Sequence, residues 1–323
     1  MSEDDEAQLA CPSCGSVATS ALWTVTDRLF RTTTKTFSIR RCRGCSIEYL
    51  HPQPTGDELA TYYPAAYWVG PGAGRGLFHR LLEVYRRLVL VDHVRFARRI
   101  VREQRTAGTF TGILDVGCGD GSFLEAFGER SAIGLDWSRT AVDAVRSRGF
   151  HAVRGTLPDA PFRDASYSVV TMFHYLEHVA PVRNHLESVR RLLRPGGRLV
   201  VQVPNADSWQ SRVLRSRWAG YDPPRHLINC STATLRRTLM EHGFRIVRQT
   251  HLSLRDNPTT LVNSLAPQLY PPAMPATGSN GLLRPVGSLA YLAAVSVAAP
   301  LCQLEGALGH GAAVMCEAEP LKH

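Results

Sequence analysis

Gly112-Ile113-Leu114-Asp115-Val116-Gly117-Cys118-Gly119-Asp120-Gly121-Ser122-Phe123-Leu124 is the stretch that decides the fold of this 323-residue chain. Ile113 to Val116 reads as a short buried strand, three glycines follow at alternate positions, and Ser122 to Arg130 reads as the start of a helix. Strand, glycine turn and helix together make a nucleotide-type cofactor site. Glycine accepts positive φ and lets a ligand approach the backbone, and a helix start presents unpaired N–H groups. The spacing is G-x-G-x-G rather than the G-x-G-x-x-G of dinucleotide binders. Asp115 lies inside the strand, and a second acid, Asp136, ends the next apolar run, Ala132-Ile133-Gly134-Leu135. The separation, 136 − 115 = 21 residues, is close to the ~20 expected of an acid that reaches a ribose.

Outward from this stretch, strand and helix alternate. Ser138 to Arg148 reads as a helix ended by Gly149, His151 to Arg154 as a third strand and Val169 to Phe173 as a fourth. Val182 to Leu193 reads as a helix stopped by Pro195-Gly196-Gly197, and Arg198 to Val203 as a fifth strand. Such alternation predicts a parallel sheet covered by helices, an α/β fold.

The glycine stretch resembles the first motif of class I S-adenosylmethionine (SAM)-dependent methyltransferases, Leu-Asp-x-Gly-x-Gly-x-Gly, and the resemblance covers roughly residues 110–250. It implies a Rossmann-like seven-stranded sheet with helices on both faces and an antiparallel last strand, for which Ala312 to Ala318 is the candidate after a sixth strand opened by Gly243 to Val247. By the same resemblance Gly117, Cys118 and Gly119 pack under the methionine part of SAM, Asp115 orients its amino group, and Asp136, followed by Trp137, holds the ribose hydroxyls. Thr156 and Leu157 fall where relatives meet the adenine, and Phe173 and His174 where the turn after strand four touches SAM. Two positions depart from the pattern. Thr156 stands where many relatives carry an acid, and Ser168 replaces the Asp of a Phe-Asp-x-Val motif. An NAD-binding Rossmann domain is the alternative, and the alternate-residue glycines and later motifs stand against it.

Ahead of this core, Cys11-Pro12-Ser13-Cys14 and Cys42-Arg43-Gly44-Cys45 form two Cys-x-x-Cys knuckles separated by β-prone runs, Ala21 to Val25 and Thr36 to Arg41. Four thiolates satisfy tetrahedral Zn2+ in a closed structural site, so residues 10–50 read as a small zinc ribbon with Cys11, Cys14, Cys42 and Cys45 as ligands. Free or redox-active pairs are the alternative. Residues 1–9 read as an acidic disordered tail, and 51–106 as a linker, lid and helical segment. The prolines between Leu50 and Trp68 argue against a regular helix there; by the resemblance the aromatics of this linker lid the SAM pocket, with Tyr63 and Tyr67 the candidates, and packing of the ribbon onto the core is the alternative. Leu77 to Gln104 has helical spacing, with arginines crowding its other faces. The core is expected over 107–323, with insertions at 204–230 and 255–310.

The net charge of +9 permits a phosphorylated, nucleic-acid or membrane-surface partner without selecting one. The hydrophobic fraction of 44% is ordinary for a globular protein. The acidic N-terminus does not read as a signal peptide. Paired cysteines without a secretion signal point to a reducing cytoplasm. The apolar run Leu289 to Leu304, interrupted by Pro300, reads as too short to span a bilayer. It is expected to pack on the core, to lid the substrate, or to touch a membrane near a lipid-linked acceptor.

If the acceptor atom is a hydroxyl oxygen or a carbon beside a carbonyl, a base must take its proton. Histidine suits that task near neutral pH. His226, on the loop side where substrates enter, is the candidate base, with Tyr221 or Asp222 to orient it; His178 is a second candidate or a packing residue. The expected reaction is methyl transfer from SAM to oxygen or carbon of a small-molecule acceptor: a natural product, a sugar or a lipid-linked metabolite. An RNA methyltransferase is the first alternative, which the arginines fit but the absence of an Asn/Asp-Pro-Pro-Tyr motif after strand four does not. A non-catalytic SAM-binding scaffold is the second.

Overall fold

The computed structural model describes residues 10–64, 67, 84–271 and 283–321. The predicted tail, the glycine break at 70–76 and the first positions of the basic helix lie outside them.

A seven-stranded sheet forms the centre. It contains β4 (Ile113–Val116), β5 (Ile133–Asp136), β6 (His151–Arg154), β7 (Tyr167–Phe173), β8 (Leu193–Pro204), β10 (Phe244–Thr250) and β11 (Ala313–Pro320). Their order is β10-β11-β8-β7-β4-β5-β6. β8, β7, β4, β5 and β6 run parallel, while β11 inserts antiparallel between β8 and β10. The alternation along β4 explains how both faces are covered. Leu114 and Val116 enter one apolar cluster with Leu186 and Val189 of α5 (Val182–Leu192) and Leu235 and Leu239 of α7 (Thr232–Glu241). Ile113 joins the other, with Phe96 and Ile100 of α2 (Val91–Thr106), Phe123 of α3 (Ser122–Phe127) and Val142 of α4 (Arg139–Ser147). A strand buried on both faces needs this near-continuous apolar run.

The N-terminal ribbon is not a free-standing bead. β1 (Thr19–Thr26), β2 (Thr36–Cys42) and β3 (Glu48–His51) form an antiparallel sheet whose fourth strand is β9 (Ile228–Asn229), supplied by the segment after β8. Trp218 and Tyr221 from that same segment fill the ribbon's small core with Val25, Phe37, Ile39 and Leu50. The insertion predicted at 204–230 therefore packs partly on the ribbon, through Trp218, Tyr221 and β9, while its helix α6 (Trp209–Leu214) turns the other way and Gln210 bonds Glu305.

Two sequence expectations are corrected. α1 (Gly56–Thr61) forms in the proline-rich linker, because Pro52, Pro54 and Pro64 flank the helix rather than enter it and Thr55 caps its start by accepting the Glu58 N–H. The C-terminal apolar run belongs to α9 (Leu283–Ala307), 25 residues with Pro300 accommodated inside. Its stretch Gly287–Ala307 has a mean hydropathy of 1.5 and is long and apolar enough to cross a membrane by length and composition. The expectation that it was too short fails because Pro300 does not end the helix. α9 packs on α8 (Asp256–Leu265) through Tyr291 and Val295, which join Val262 in a separate apolar cluster.

Candidate active site

The parallel strands end on one edge of the sheet, where β4, β5 and β7 deliver their polar residues. The backbone of the glycine turn is left-handed at Gly117 (φ 74°) and Gly119 (φ 52°). A Cβ at Gly117 would sit 2.7 Å from Tyr175 Cδ2, whereas one at Gly119 would meet nothing within 4 Å. Gly117 is thus needed for packing, and the space over Gly119 is open. Cys118 turns its buried thiol inward against Gly134 rather than toward that space.

Asp136 closes the turn. Its Oδ2 accepts the Gly119 N–H at 3.0 Å and its Oδ1 accepts the Ser138 N–H at 2.9 Å. Asp115 is buried beneath and accepts the Thr171 hydroxyl at 2.6 Å. Burial raises both carboxyls, Asp136 to about 6 and Asp115, with Asp136 nearby, to about 7. Two buried acids with no basic side chain bonded to them among the described residues suit a ligand that brings its own positive charge and hydroxyl donors. Trp137 follows at the rim and meets Tyr63 edge-on at 5.6 Å between ring centres. On β6's exit Leu157 is buried and Thr156 is exposed. The open glycine cradle and the paired acids fit SAM, which supplies an electrophilic methyl group on a sulfonium.

Ser168, the departure from the family pattern, does structural work on the opposite edge. Its hydroxyl accepts the Thr111 N–H at 2.7 Å and receives Arg194 Nε at 3.1 Å. The change from Asp therefore leaves the cofactor edge untouched.

Beyond β7 lies a second polar group. Phe173 packs edge-on to Phe123 and His93. His174 takes a left-handed φ of 53°, an uncommon conformation outside glycine that marks a position held by its surroundings. Its Nδ1 donates to Glu177 Oε1 at 2.9 Å, and its Nε2 lies 3.2 Å from Asp256 Oδ1. Burial opposes a charge on the ring, but Asp256 and Glu177 outweigh it and raise His174 to about 10. His174 is a structural cation between two carboxylates.

Glu177 and His178 sit on a 3-10 turn, Leu176–His178. His178 Nδ1 lies 3.1 Å from the Arg225 carbonyl and 2.8 Å from Tyr63 Oη. His226 Nδ1 lies 2.8 Å from the Gly220 carbonyl. A carbonyl oxygen only accepts, so both Nδ1 atoms carry a hydrogen and Nε2 is the ring atom left to meet a ligand; His226 Nε2 lies 4.0 Å from Asp222 Oδ2. The rings meet edge-on with centres 4.6 Å apart. Burial, and then His226 alongside, lowers His178 to about 4, so it is neutral at pH 7. Glu177, His178 and His226 each offer a donor atom, and these atoms lie within 4.8 Å of one another.

Tyr221 is placed elsewhere: its buried hydroxyl donates to Glu48 Oε2 and accepts Trp23 Nε1–H, both at 3.1 Å, tying the ribbon to the core. The residue that organises the loop is Arg225, which sequence reading passed over. Fully buried, it donates to Asp27 of the ribbon at 3.1 and 2.8 Å and to Asp222 at 2.9 and 2.7 Å, with Phe30 against its guanidinium. Its own carbonyl holds His178, so the ribbon reaches the histidine pair through one side chain. An arginine between Pro-Pro and His carried the only sequence signal; Asp27 and Asp256 carried none.

The four ribbon cysteines come together. Cys11–Cys45 and Cys14–Cys42 are each 3.6 Å apart between sulfurs, and all four lie within 4.8 Å. Four sulfurs about 2.3 Å from one tetrahedral ion stand roughly 3.8 Å apart, so the donor set fits zinc.

Parallel sheet with one antiparallel insertion, glycine cradle and acids at two strand ends define a class I SAM-dependent methyltransferase. A family model described as a methyltransferase domain matches residues 72–249, and the chain belongs to that family. A probable S-adenosylmethionine-dependent methyltransferase of Mycolicibacterium smegmatis is 35% identical over 116 residues, 34% of this chain and 45% of that protein. A probable tRNA methyltransferase 9B of Homo sapiens is 27% identical over 109 residues, 33% of this chain and 23% of that protein. The chain thus spans less than half the length of these relatives. Among solved structures, a SAM-dependent methyltransferase from Archaeoglobus fulgidus aligns with a TM-score of 0.42 at 19% identity, over 69% of this chain and 93% of that one.

Proposed function

We propose that this methyltransferase modifies an oxygen or carbon atom of a small-molecule acceptor, and that Glu177, His178 and His226 activate that acceptor. The observation carrying this reading is the convergence of two imidazoles, each with its Nδ1–H committed to a backbone carbonyl, on a buried carboxylate beside the cofactor edge. Their Nε2 lone pairs are the groups that draw a proton from a hydroxyl or an acidified C–H. A base is needed there because such acceptors, unlike the sulfonium, are not already reactive. Asp115, Gly117, Gly119 and Asp136 would hold the methionine and ribose parts of SAM, with Trp137, Thr156 and Leu157 framing the adenine. His174 acts through Glu177 as a positioning residue. The ribbon cysteines hold structural zinc, and the ribbon positions the acceptor loop through Asp27 and Arg225.

The test supplies the purified chain with methyl-labelled SAM and, separately, small-molecule and RNA fractions of a bacterial extract. Label should enter the small-molecule fraction and be lost in His226→Ala while S-adenosylhomocysteine still binds. Label in the RNA fraction alone would overturn the reading in favour of the nucleic-acid acceptor named by the tRNA methyltransferase relative.

A further inference from the structure

We infer that Glu177, His178 and His226 form a second metal site, one that binds a divalent transition-metal ion and through it an acceptor bearing two neighbouring oxygen atoms. The inference deepens the reading above. It rests on that reading for the ion's role, but not for the ion's binding.

Three independent observations point to a ligand. Glu177 is buried, and its Oε2 has no hydrogen-bond partner among the described residues. A buried unpaired carboxylate oxygen is costly unless something fills the place beside it. Its other oxygen is fixed by His174. Both imidazoles donate Nδ1–H to backbone carbonyls, the outer-shell arrangement that orients metal-ligating histidines. Finally, the two rings pack edge-on with centres 4.6 Å apart, so that one donor atom from each lies within 4.8 Å of a Glu177 oxygen. Donor atoms within 4.8 Å of one another would draw in by about 1 Å to stand roughly 3.4 Å apart around a common ion about 2.1 Å away.

Two histidines and one carboxylate suit zinc, iron(II), manganese or cobalt(II), and three protein ligands leave open positions. That geometry selects the acceptor class. A vicinal diol, a catechol or an α-hydroxy carbonyl would fill two adjacent positions; with the histidine lone pairs then held by the ion, the ion takes over the activating role, and a hydroxyl on it gives up its proton to water far more readily than in bulk solution. The site differs from the ribbon, whose four thiolates complete a tetrahedron and leave no place for substrate.

The experiment is a calorimetric titration of cobalt(II) chloride into the full chain with its ribbon zinc in place, with metal content read by mass spectrometry. One equivalent beyond the ribbon ion is expected. Glu177→Gln and His226→Gln should each weaken it about tenfold or more while S-adenosylhomocysteine binding persists as proof of folding. The inference is overturned if the wild type takes up no second equivalent, or if Glu177→Gln binds it as tightly as the wild type. Failure of the two readings is distinguishable. Labelling of the small-molecule fraction that survives chelation of the second ion removes the metal and keeps the acceptor site. A second ion bound by a chain that labels only RNA does the reverse.

Discussion

The two halves of the active edge are built in different ways. At the cofactor end, Asp115, Gly119, Asp136 and Ser138 lie within one short stretch, and backbone N–H groups set the carboxylate geometry. At the proposed acceptor end, Tyr63, the turn from His174 to His178, Arg225 and Asp256 arrive from separate segments, held together by side-chain and backbone contacts between them. A site written in contiguous backbone tolerates change elsewhere in the chain. A site assembled from distant side chains depends on every segment that braces it, the ribbon included.

That contrast can be broken or sharpened in order of effect. Arg225→Met leaves buried Asp27 and half-buried Asp222 without their cation, so denaturant unfolding should show a loss of about 3–5 kcal/mol. A loss below ~1 kcal/mol would show that the ribbon does not brace the acceptor loop. Next comes Asp136→Ala, which removes acceptors for the turn and for ribose. S-adenosylhomocysteine affinity measured by calorimetry should drop by about 2–4 kcal/mol, roughly 30- to 1,000-fold, with acceptor-side stability little changed. Gly117→Ala places a Cβ into Tyr175 at a left-handed φ. It should cost about 1–3 kcal/mol in thermal or denaturant stability, and an unchanged midpoint would contradict the packing role given to this glycine.

The smallest effect is a pH dependence that separates the two ends. Burial raises Asp136 to about 6 and Asp115 to about 7. Their folded values lie above the unfolded ones, so the ligand-free protein binds extra protons and its stability falls as pH rises from about 4 to 7. A ligand that donates to ionised carboxylates shows the opposite trend. S-adenosylhomocysteine affinity should fall about tenfold between pH 7 and pH 5. A flat affinity over that range would mean that neither carboxyl must ionise on binding.

Legibility followed the same division. The order of strands, the glycine turn and the two acids could be read because strand, turn and helix signals are local. The two cysteine pairs were legible for the same reason, each lying within one turn. The proposed acceptor site was half legible. His178 and His226 stood out as residue types, but Tyr221, two residues from Pro223, turned out to be hydrogen-bonded across to Glu48. Arg225 reaching Asp27 and His174 reaching Asp256 are contacts that only the tertiary fold creates. The joining of β9 to the ribbon was hidden for want of pattern, since a two-residue strand has no period to read. The length of α9 was misjudged because one proline inside an apolar helix reads locally as an end.

The measurement that tests the account most directly compares S-adenosylhomocysteine binding and labelled methyl transfer in Asp136→Ala and Glu177→Gln side by side. The account predicts that Asp136→Ala loses both, while Glu177→Gln binds S-adenosylhomocysteine as the wild type does and transfers no methyl group. Loss of S-adenosylhomocysteine binding in folded Glu177→Gln, or its retention in Asp136→Ala, would contradict the division of the site into a cofactor end and an acceptor end.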